Sequence, residues 1–471
     1  MSNNIFTLSL SEVARAIATK KLSSVEATTV CVERMQAHGP ALDAICAMDP
    51  DAALADARTA DETLANDGAT GPLHGVPLAH KDMFYRAGRI SGCGSKIRAD
   101  FVPDVTGTVL KRLDRAGALD IARLNMVEFA LGVTGHNEVV PTPKNPWNTA
   151  HITGGSSSGP GAAVAARLVF GTLGSDTGGS IRFPSCCNGL IGIKPTWGRV
   201  SRYGAMPLSP SLDTIGPLTR TVEDAALMFR IIAGHDPRDP TSSRVYVPDY
   251  VFGLSQGIKG LRVGVPENYF FDFVEPEISN LVRASLDVLV DAGAELVLVT
   301  IPDSLEATNP LTSLIIATEA ASIHQAWLQE RPEDYGDQTR ARMNNGLTTS
   351  ATRYLQARNL RAPLLAEFAE AVFDKVDVLH CPVMNTAVPT IADTDLSANS
   401  GFAEFITRMG YCTRPINYLG LPSLTVPCGF TENGLPTAFQ VVARPFDETS
   451  MLRVGHAYQA ATDWHSKVPD L

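Results

Sequence analysis

Short runs of apolar residues, most of them bounded by glycine or proline, recur along the chain. The second half of the sequence contains LRVGVP, AELVLVTIP, VDVLHCPVM, PSLTVPCGF and TAFQVVARP. Runs that are apolar on both faces are typical of strands buried between two layers. Segments with helical character, such as GPGAAVAARLVF (159–170), alternate with similar runs in the first half. The pattern predicts an α/β fold with a sheet covered by helices on both sides.

Charge and cysteine content exclude several classes of protein. Acidic residues outnumber basic ones, 50 to 39, and the formal net charge is −11, so we expect no nucleic-acid partner. The eight cysteines include no CxxC pair, and we interpret the adjacent Cys186 and Cys187 as core residues. No apolar stretch reaches the ~18 residues of a membrane span, and no signal-peptide pattern is visible. We therefore predict a cytoplasmic protein without membrane contact.

Most familiar site motifs are missing from the sequence. It contains no HExxH, no Cys/His set at metal-ligand spacing, no P-loop, no GxGxxG and no SxxK, so we expect no metal and no cofactor. Residues 155–159 (GSSSG) do match GxSxG, the nucleophile elbow of α/β-hydrolases. That elbow requires an apolar strand directly before it, whereas NPWNTAHIT is polar. An esterase of the α/β-hydrolase type stays a minor alternative.

Three other elements carry chemistry. The run SDTGGSIR places Ser180 after two glycines, where a tightly turned backbone can aim successive N–H groups at one oxyanion. A serine nucleophile needs a base, and Lys81 ends the strand-like run PLAHK. Burial would lower the pKa of Lys81 and leave it neutral. The third element is the loop HITGGSSSGPG (151–161).

In this combination the elements resemble the amidase signature family of serine hydrolases. The matching blocks are GPLHGVPLAHKD (71–82), NPWNTAHITGGSSSGPGAAVAA (145–166), GSDTGGSIRFPSCCNGLIGIKPTWGRVS (174–201), MPLSPSLDTIGPLTRTVEDAALMF (206–229), LGLPSLTVPCGF (419–430) and GLPTAFQVVARPFDE (434–448). They occur in the family's order and at its spacing over nearly the whole chain. The resemblance implies the amidase signature fold, in which helices cover both sides of a central mixed, twisted β-sheet.

The resemblance also implies a Ser–cisSer–Lys triad. It places the nucleophile on Ser180, the base on Lys81 and the bridging serine on Ser156, which follows a cis peptide bond from Gly155. The remaining assignments are an oxyanion hole made by the backbone amides of Thr177, Gly178, Gly179 and Ser180, supporting roles for Gly155, Ser157, Asp176 and Arg182, and substrate contacts for Met126, Gly132 and Thr134.

The activity that this resemblance implies is hydrolysis of a linear carboxamide through an acyl-enzyme on Ser180. The products are a carboxylate and ammonia or an amine, and the same chemistry permits anilides, esters and carbamates (urethanes). The expected partner is a small-molecule amide, and the expected state a monomer or homodimer.

The glutaminase (A) subunits of tRNA-dependent amidotransferases belong to the same family and release ammonia from glutamine for another chain of their assembly. Their SSNLARYDGxRYG-like block is missing from residues 315–336. We therefore expect a free-standing amidase, and the alternative is a glutaminase (A) subunit of such an assembly.

A single domain is expected over residues 1–471. Capping-box patterns at Ser9–Glu12 and Ser23–Glu26 predict helices near the N-terminus, and residues 310–375 have a helical composition. The predicted segments are an N-terminal helical part (1–70), a signature core with the triad (71–235), a helical substrate-pocket region (236–400), and C-terminal strands and helix that complete the sheet (401–471).

Overall fold

The structure is a computed structural model and describes residues 2–395 and 402–471. Its strands are β1 (Ile45–Met48), β2 (Pro77–Lys81), β3 (Leu119–Leu124), β4 (Gly171–Asp176), β5 (Ile191–Lys194), β6 (Thr214–Thr219), β7 (Arg262–Pro266), β8 (Glu295–Val299), β9 (Val378–Pro382), β10 (Ser423–Phe430) and β11 (Pro436–Ala443). Its helices are α1 (Leu10–Ala18), α2 (Ser24–Leu42), α3 (Pro50–Asn66), α4 (Thr108–Arg115), α5 (Ser158–Ala165), α6 (Arg182–Asn188), α7 (Val222–Ile232), α8 (Tyr250–Leu254), α9 (Pro276–Asp291), α10 (Thr308–Glu330), α11 (Asp337–Leu347), α12 (Ala351–Asn359), α13 (Arg361–Phe368), α14 (Phe402–Met409), α15 (Arg414–Leu419) and α16 (Glu448–Ala460).

Eight strands form one mixed sheet in the order β4-β6-β5-β10-β11-β9-β7-β8. Neighbours from β4 to β9 are antiparallel, whereas β7 pairs in parallel with both β8 and β9. Every residue of β4, β5, β6, β9 and β11 is buried, so helices and loops cover both faces of the sheet there. The mixed α/β architecture predicted from the sequence is confirmed.

A second, three-stranded sheet has the order β1-β3-β2. Strand β2 pairs in parallel with β3, and β1 pairs with β3 in the opposite direction. Strand β2 is fully buried and packs near β4 of the large sheet, which brings its last residue, Lys81, towards the residues at the end of β4. The sequence predicted β2 as a strand but did not predict the separate sheet that it forms with β3 and β1.

Helices dominate the N-terminal part and residues 308–368. Ser9 and Ser23 cap α1 and α2, each in a complete capping box with the glutamate three residues on, as the sequence predicted. Strand β1 interrupts the predicted N-terminal helical segment between α2 and α3. No helix in residues 2–395 or 402–471 combines the length and the apolar character needed to cross a bilayer.

Candidate active site

Three chain segments meet beside the end of β4. Strand β2 brings Lys81, and the loop before α5 brings Ser156 and Ser157. Strand β4 ends at Asp176, and the turn that follows it leads through Ser180 into α6. The structure therefore brings together the lysine and serines that the sequence singled out, although 75 residues separate Lys81 from Ser156 along the chain.

Lys81 is completely buried, and its amine lies between two hydroxyl groups. Lys81 Nζ donates a hydrogen bond to Ser156 Oγ at 2.8 Å and another to Ser175 Oγ at 3.0 Å. Burial lowers the pKa of Lys81 to about 7, although the charges of Asp213 and Asp176 act in the opposite direction. A large share of this amine is therefore neutral near pH 7 and has a lone pair that can accept a proton.

The loop that carries Ser156 is held from both sides. The Gly155–Ser156 peptide bond is cis, as the resemblance implied, and the Gly155 amide donates to Val133 O at 2.6 Å. A Cβ at position 155 would lie 2.8 Å from the Gly135 nitrogen, so only glycine fits there. The Ser157 amide donates to the Ser180 carbonyl oxygen at 3.3 Å, which ties this loop directly to the Ser180 turn.

Ser180 is 5% exposed, and its hydroxyl is uncommitted. Within the described ranges no residue forms a hydrogen bond with Ser180 Oγ, Ser156 included. Hydrogen bonds between catalytic groups are often long without substrate and tighten only in the complex. The arrangement therefore leaves the Ser180 hydroxyl available to a substrate carbonyl beside the Ser156 and Lys81 pair.

The four backbone amides expected to form the oxyanion hole are not equivalent. The Gly179 amide donates to Asp176 Oδ1 at 2.8 Å and is therefore already occupied. The amides of Thr177, Gly178 and Ser180 donate to no acceptor in the described part of the chain. Gly179 has a φ of +130°, which bends the turn so that neighbouring amides differ in direction. Three of the four amides remain free to bind an oxyanion.

Asp176 and Arg182 fix the turn around Ser180. The Asp176 carboxylate accepts hydrogen bonds from the backbone amides of Gly179, Ile181 and Arg182. It also forms a fully buried ion pair with the Arg182 side chain, with Nε and Oδ2 3.1 Å apart. Burial would raise the pKa of Asp176, but the charge and hydrogen bonds of Arg182 outweigh it and lower that pKa to about 2. Arg182 also donates to Gln440 and Asn417, so both distant residues hold the turn.

Other residues next to the site in the sequence, or expected to contact substrate, are buried in the protein. His80 is buried, and its Nδ1 accepts a hydrogen bond from the Leu173 amide, so it packs in the core. Cys186 and Cys187 are buried, free thiols in an apolar cluster. The side chains of Met126 and Thr134, expected to contact substrate, are almost completely buried, and neither is among the described residues that line the cavity beside the Ser180 turn.

A cavity of about 500 Å³ adjoins the Ser180 turn. Ile316 and Arg414 line it, and both lie 3.7 Å from the position that a Cβ on Gly178 would occupy. Gly132 lies at its edge, since a Cβ there would be 3.7 Å from Gln338 Oε1, another lining atom. Its volume is in the range usual for small-molecule sites. Two of the residues that line the cavity therefore lie against the turn that presents the free amides.

Some residues of the site were missed in the sequence. Ser175, the second partner of Lys81, stands in the quoted block SDTGGSIR and could have been found there. Asn417 and Gln440 hold Arg182 from 235 and 258 residues away, and no local pattern predicts such contacts. The same holds for Arg342 and Arg414 in the cavity wall, because separate helices bring them together.

Comparison with known proteins places this geometry in a family. The chain is 41% identical to the A subunit of the glutamyl-tRNA(Gln) amidotransferase of Chloroflexus aggregans, over 98% of each chain. The chain also matches a solved structure with a TM-score of 0.89 and 32% identity, over 96% of this chain and 98% of that one. That structure is described as an inhibitor-bound vestigial protein complex that reveals the evolutionary origins of an s-triazine catabolic enzyme. The peptide amidase PAM bound to the competitive inhibitor chymostatin matches with a TM-score of 0.86 and 27% identity, over 98% and 99%. The amidase family model covers residues 26–452, and the chain belongs to the amidase family, in its amidase signature form.

Proposed function

We propose that this amidase-family hydrolase cleaves the C–N bond of a linear carboxamide through an acyl-enzyme on Ser180. The observation that carries the proposal is the buried Lys81 amine, hydrogen-bonded to Ser156 Oγ beside the Ser180 turn, with its pKa lowered to about 7. A neutral buried amine is a competent general base, and a serine alcohol needs such a base to attack a carbonyl.

The first half-reaction forms the acyl-enzyme. Ser156 accepts the Ser180 hydroxyl proton while its own proton passes to Lys81 Nζ, and Ser180 Oγ bonds to the substrate carbonyl carbon. The free amides of Thr177, Gly178 and Ser180 stabilise the oxyanion that forms. The relay then returns the proton to the leaving nitrogen as the C–N bond breaks, which releases ammonia or an amine and leaves an ester on Ser180.

Water completes the cycle through the same groups. It loses a proton through Ser156 to Lys81 as its oxygen attacks the ester carbonyl, and the same amides hold the second oxyanion. The proton then returns to Ser180 Oγ as the C–O bond to the enzyme breaks, and the carboxylic acid leaves and releases its proton to solvent as the carboxylate. Because the ester intermediate does not depend on the leaving group, anilides, esters and carbamates can enter by the same route.

Substitution of the three residues tests this assignment. Ser180→Ala should abolish hydrolysis of aryl amides and esters, and Lys81→Met should lower kcat by about 10³-fold or more, because the relay then has no base. Trapping of the acyl group on Ser180 by mass spectrometry, with an activated ester as substrate, identifies the intermediate directly. Acylation that persists in Ser180→Ala would refute the assignment.

A second candidate is the glutaminase (A) subunit of a tRNA-dependent amidotransferase. The relative from Chloroflexus aggregans supports it, because 41% identity extends over 98% of both chains. The comparisons favour this candidate, whereas the missing SSNLARYDGxRYG-like block favoured a free-standing amidase. Both candidates share the Ser180 chemistry and differ in substrate and in the need for a partner.

A further inference from the structure

The cavity beside the Ser180 turn contains two arginine side chains among mostly apolar neighbours. Its walls include Leu131, Leu314, Ile316, Ala317, Arg342 and Arg414. Arg414 is 5% exposed, and Arg342 is half-buried. Arg342 donates one N–H to Leu131 O at 2.9 Å, whereas the Arg414 guanidinium forms no hydrogen bond or ion pair with the described residues. One nearly buried cation is thus without a partner in the described part of the chain.

Within residues 2–395 and 402–471, no carboxylate lines the cavity to neutralise Arg342 and Arg414. The described residues that line the cavity include no Asp or Glu, and residues 396–401, which lie outside the described ranges, have the sequence LSANSG. Burial, together with the charge of Arg342, lowers the pKa of Arg414 to about 10. Both guanidinium groups therefore remain charged at neutral pH. A buried, unpaired charge is costly, so an anion that enters the cavity would be strongly favoured.

The position of Arg414 is built into the surrounding backbone. A Cβ at position 410 would lie 2.5 Å from Arg414 Nε, so the glycine at 410 makes the room that the guanidinium occupies. At its other end the Arg414 side chain approaches the turn, with Cγ 3.7 Å from a Cβ built on Gly178. The aliphatic part of Arg414 therefore packs against the Gly178 turn, and its guanidinium lies against Gly410.

We propose that the cavity binds a carboxylate on the acyl part of the substrate, with Arg414 and Arg342 as its counter-ions. The proposal rests on the function proposed above and narrows the substrate to the monoamide of a dicarboxylic acid. We place the carboxylate on the acyl part because this part stays bound to Ser180 until the second half-reaction. The amine leaves in the first half-reaction. Planar guanidinium groups suit carboxylates, which they bind with two parallel hydrogen bonds.

The same chemistry separates this substrate from glutamine. Glutamine carries an ammonium beside its carboxylate, and the described cavity offers that ammonium two cations and no acidic partner. Glutaramate, which is glutamine without the amino group, lacks this penalty. We therefore expect glutaramate to exceed glutamine in kcat/KM, and both to differ from butyramide, which has neither charge.

Steady-state hydrolysis by the purified full chain tests the proposal. Wild-type kcat/KM should be at least roughly 30-fold higher for glutaramate than for butyramide, and Arg414→Met should remove most of that ratio. Gly410→Ala keeps the charge but displaces the guanidinium, and should lower the ratio in the same direction. Arg408→Met removes an exposed charge from the same segment and serves as the matched control, with no change expected.

Binding to an inactive variant separates the two proposals. Calorimetry on Ser180→Ala should show glutaramate binding that is lost in the Ser180→Ala/Arg414→Met double variant. Binding without any wild-type turnover would overturn the proposed function and leave the carboxylate site standing. Equal turnover of glutaramate and butyramide, a preference for glutamine over glutaramate, or equal loss on all substrates in Arg414→Met would overturn the carboxylate site.

Discussion

Lys81 must be neutral to accept a proton, and the residues around it decide how much of it is neutral. Burial disfavours the ammonium, while Asp213 and Asp176 favour it, and the result is a pKa of about 7. The two hydroxyl groups that Lys81 Nζ contacts carry no charge, so they do not hold the proton on the amine. A base with this pKa is active over the physiological pH range.

The pH dependence of the rate follows from this value. We expect kcat/KM for a neutral amide to rise with pH up to an inflection near 7 and to stay level above it, because only neutral Lys81 starts the relay. Initial rates between pH 5.5 and 9 in buffers of constant ionic strength measure the profile. A profile that is flat, or that falls from pH 6 to 9, would contradict the role of Lys81.

The lowered pKa of Lys81 also means that this residue reduces the stability of the folded chain. Its ordinary pKa is 10.5, so between pH 7 and 10.5 the unfolded chain binds a proton that the folded chain lacks. Stability should therefore rise with pH across this window and be lowest, for this group, below pH 7. Lys81→Met should raise the free energy of unfolding at pH 7 by roughly 2 kcal/mol, after the loss of two hydrogen bonds is counted.

Chemical denaturation at pH 7 and pH 10 measures this effect. The difference between Lys81→Met and wild type should shrink at pH 10, where the unfolded lysine begins to lose its proton. Lys194 is also buried, with a pKa lowered to about 7, but it is present in both proteins and its contribution cancels. A variant that is less stable than wild type at both pH values would contradict the lowered pKa.

At the scale of elements, the sequence predicted strands better than their pairing. Apolar runs identified β7 to β11, because strands buried on both faces carry apolar side chains on each face, although β8 at the edge of the sheet is mostly exposed. Strand β1 was missed because it has four residues and partly exposed side chains between two helices. The separate sheet of β1, β3 and β2 was missed because strand partners depend on contacts between distant segments. The Ser180 turn was predicted, since its glycines are local signals.

The turn between β4 and α6 depends on one buried ion pair. Arg182→Met should lower the free energy of unfolding by about 3 kcal/mol or more, because it leaves the Asp176 charge buried without its cation. The rate should fall as well, since Asp176 holds the Gly179 amide in place. Thermal unfolding and kcat for one aryl amide measure the two effects.

A double-variant cycle separates charge from packing in that pair. Asp176→Asn removes the negative charge, so Asp176→Asn/Arg182→Met should be less destabilised than the sum of the two single variants. Additive effects would mean that Arg182 acts through packing alone.

At the scale of the whole molecule, the proposed catalytic groups and the cavity differ in how far the sequence predicts them. Lys81, Ser156 and Ser180 lie in blocks with local signals, and the structure brings these blocks together as expected. The cavity is assembled from segments near residues 131, 316, 342 and 414, so its shape and charge arise only when distant helices pack. Substrate preference is therefore a property of the folded chain rather than of a motif.

The need for a partner is the question that belongs to this scale. We expect the purified chain alone, without tRNA and without other proteins, to hydrolyse simple amides at a rate that does not change with added partner proteins. The reason is that Lys81, Ser156, the free amides and the cavity beside them are all supplied by this one chain.

Ammonia release from glutaramate, butyramide and glutamine, measured alone and with the other subunits and tRNA of an amidotransferase, provides the comparison. Ser180→Ala, run in parallel, controls for contaminating amidases. Activity that appears only with glutamine and only in the assembly would assign the chain to the glutaminase subunits that its 41% identical relative represents.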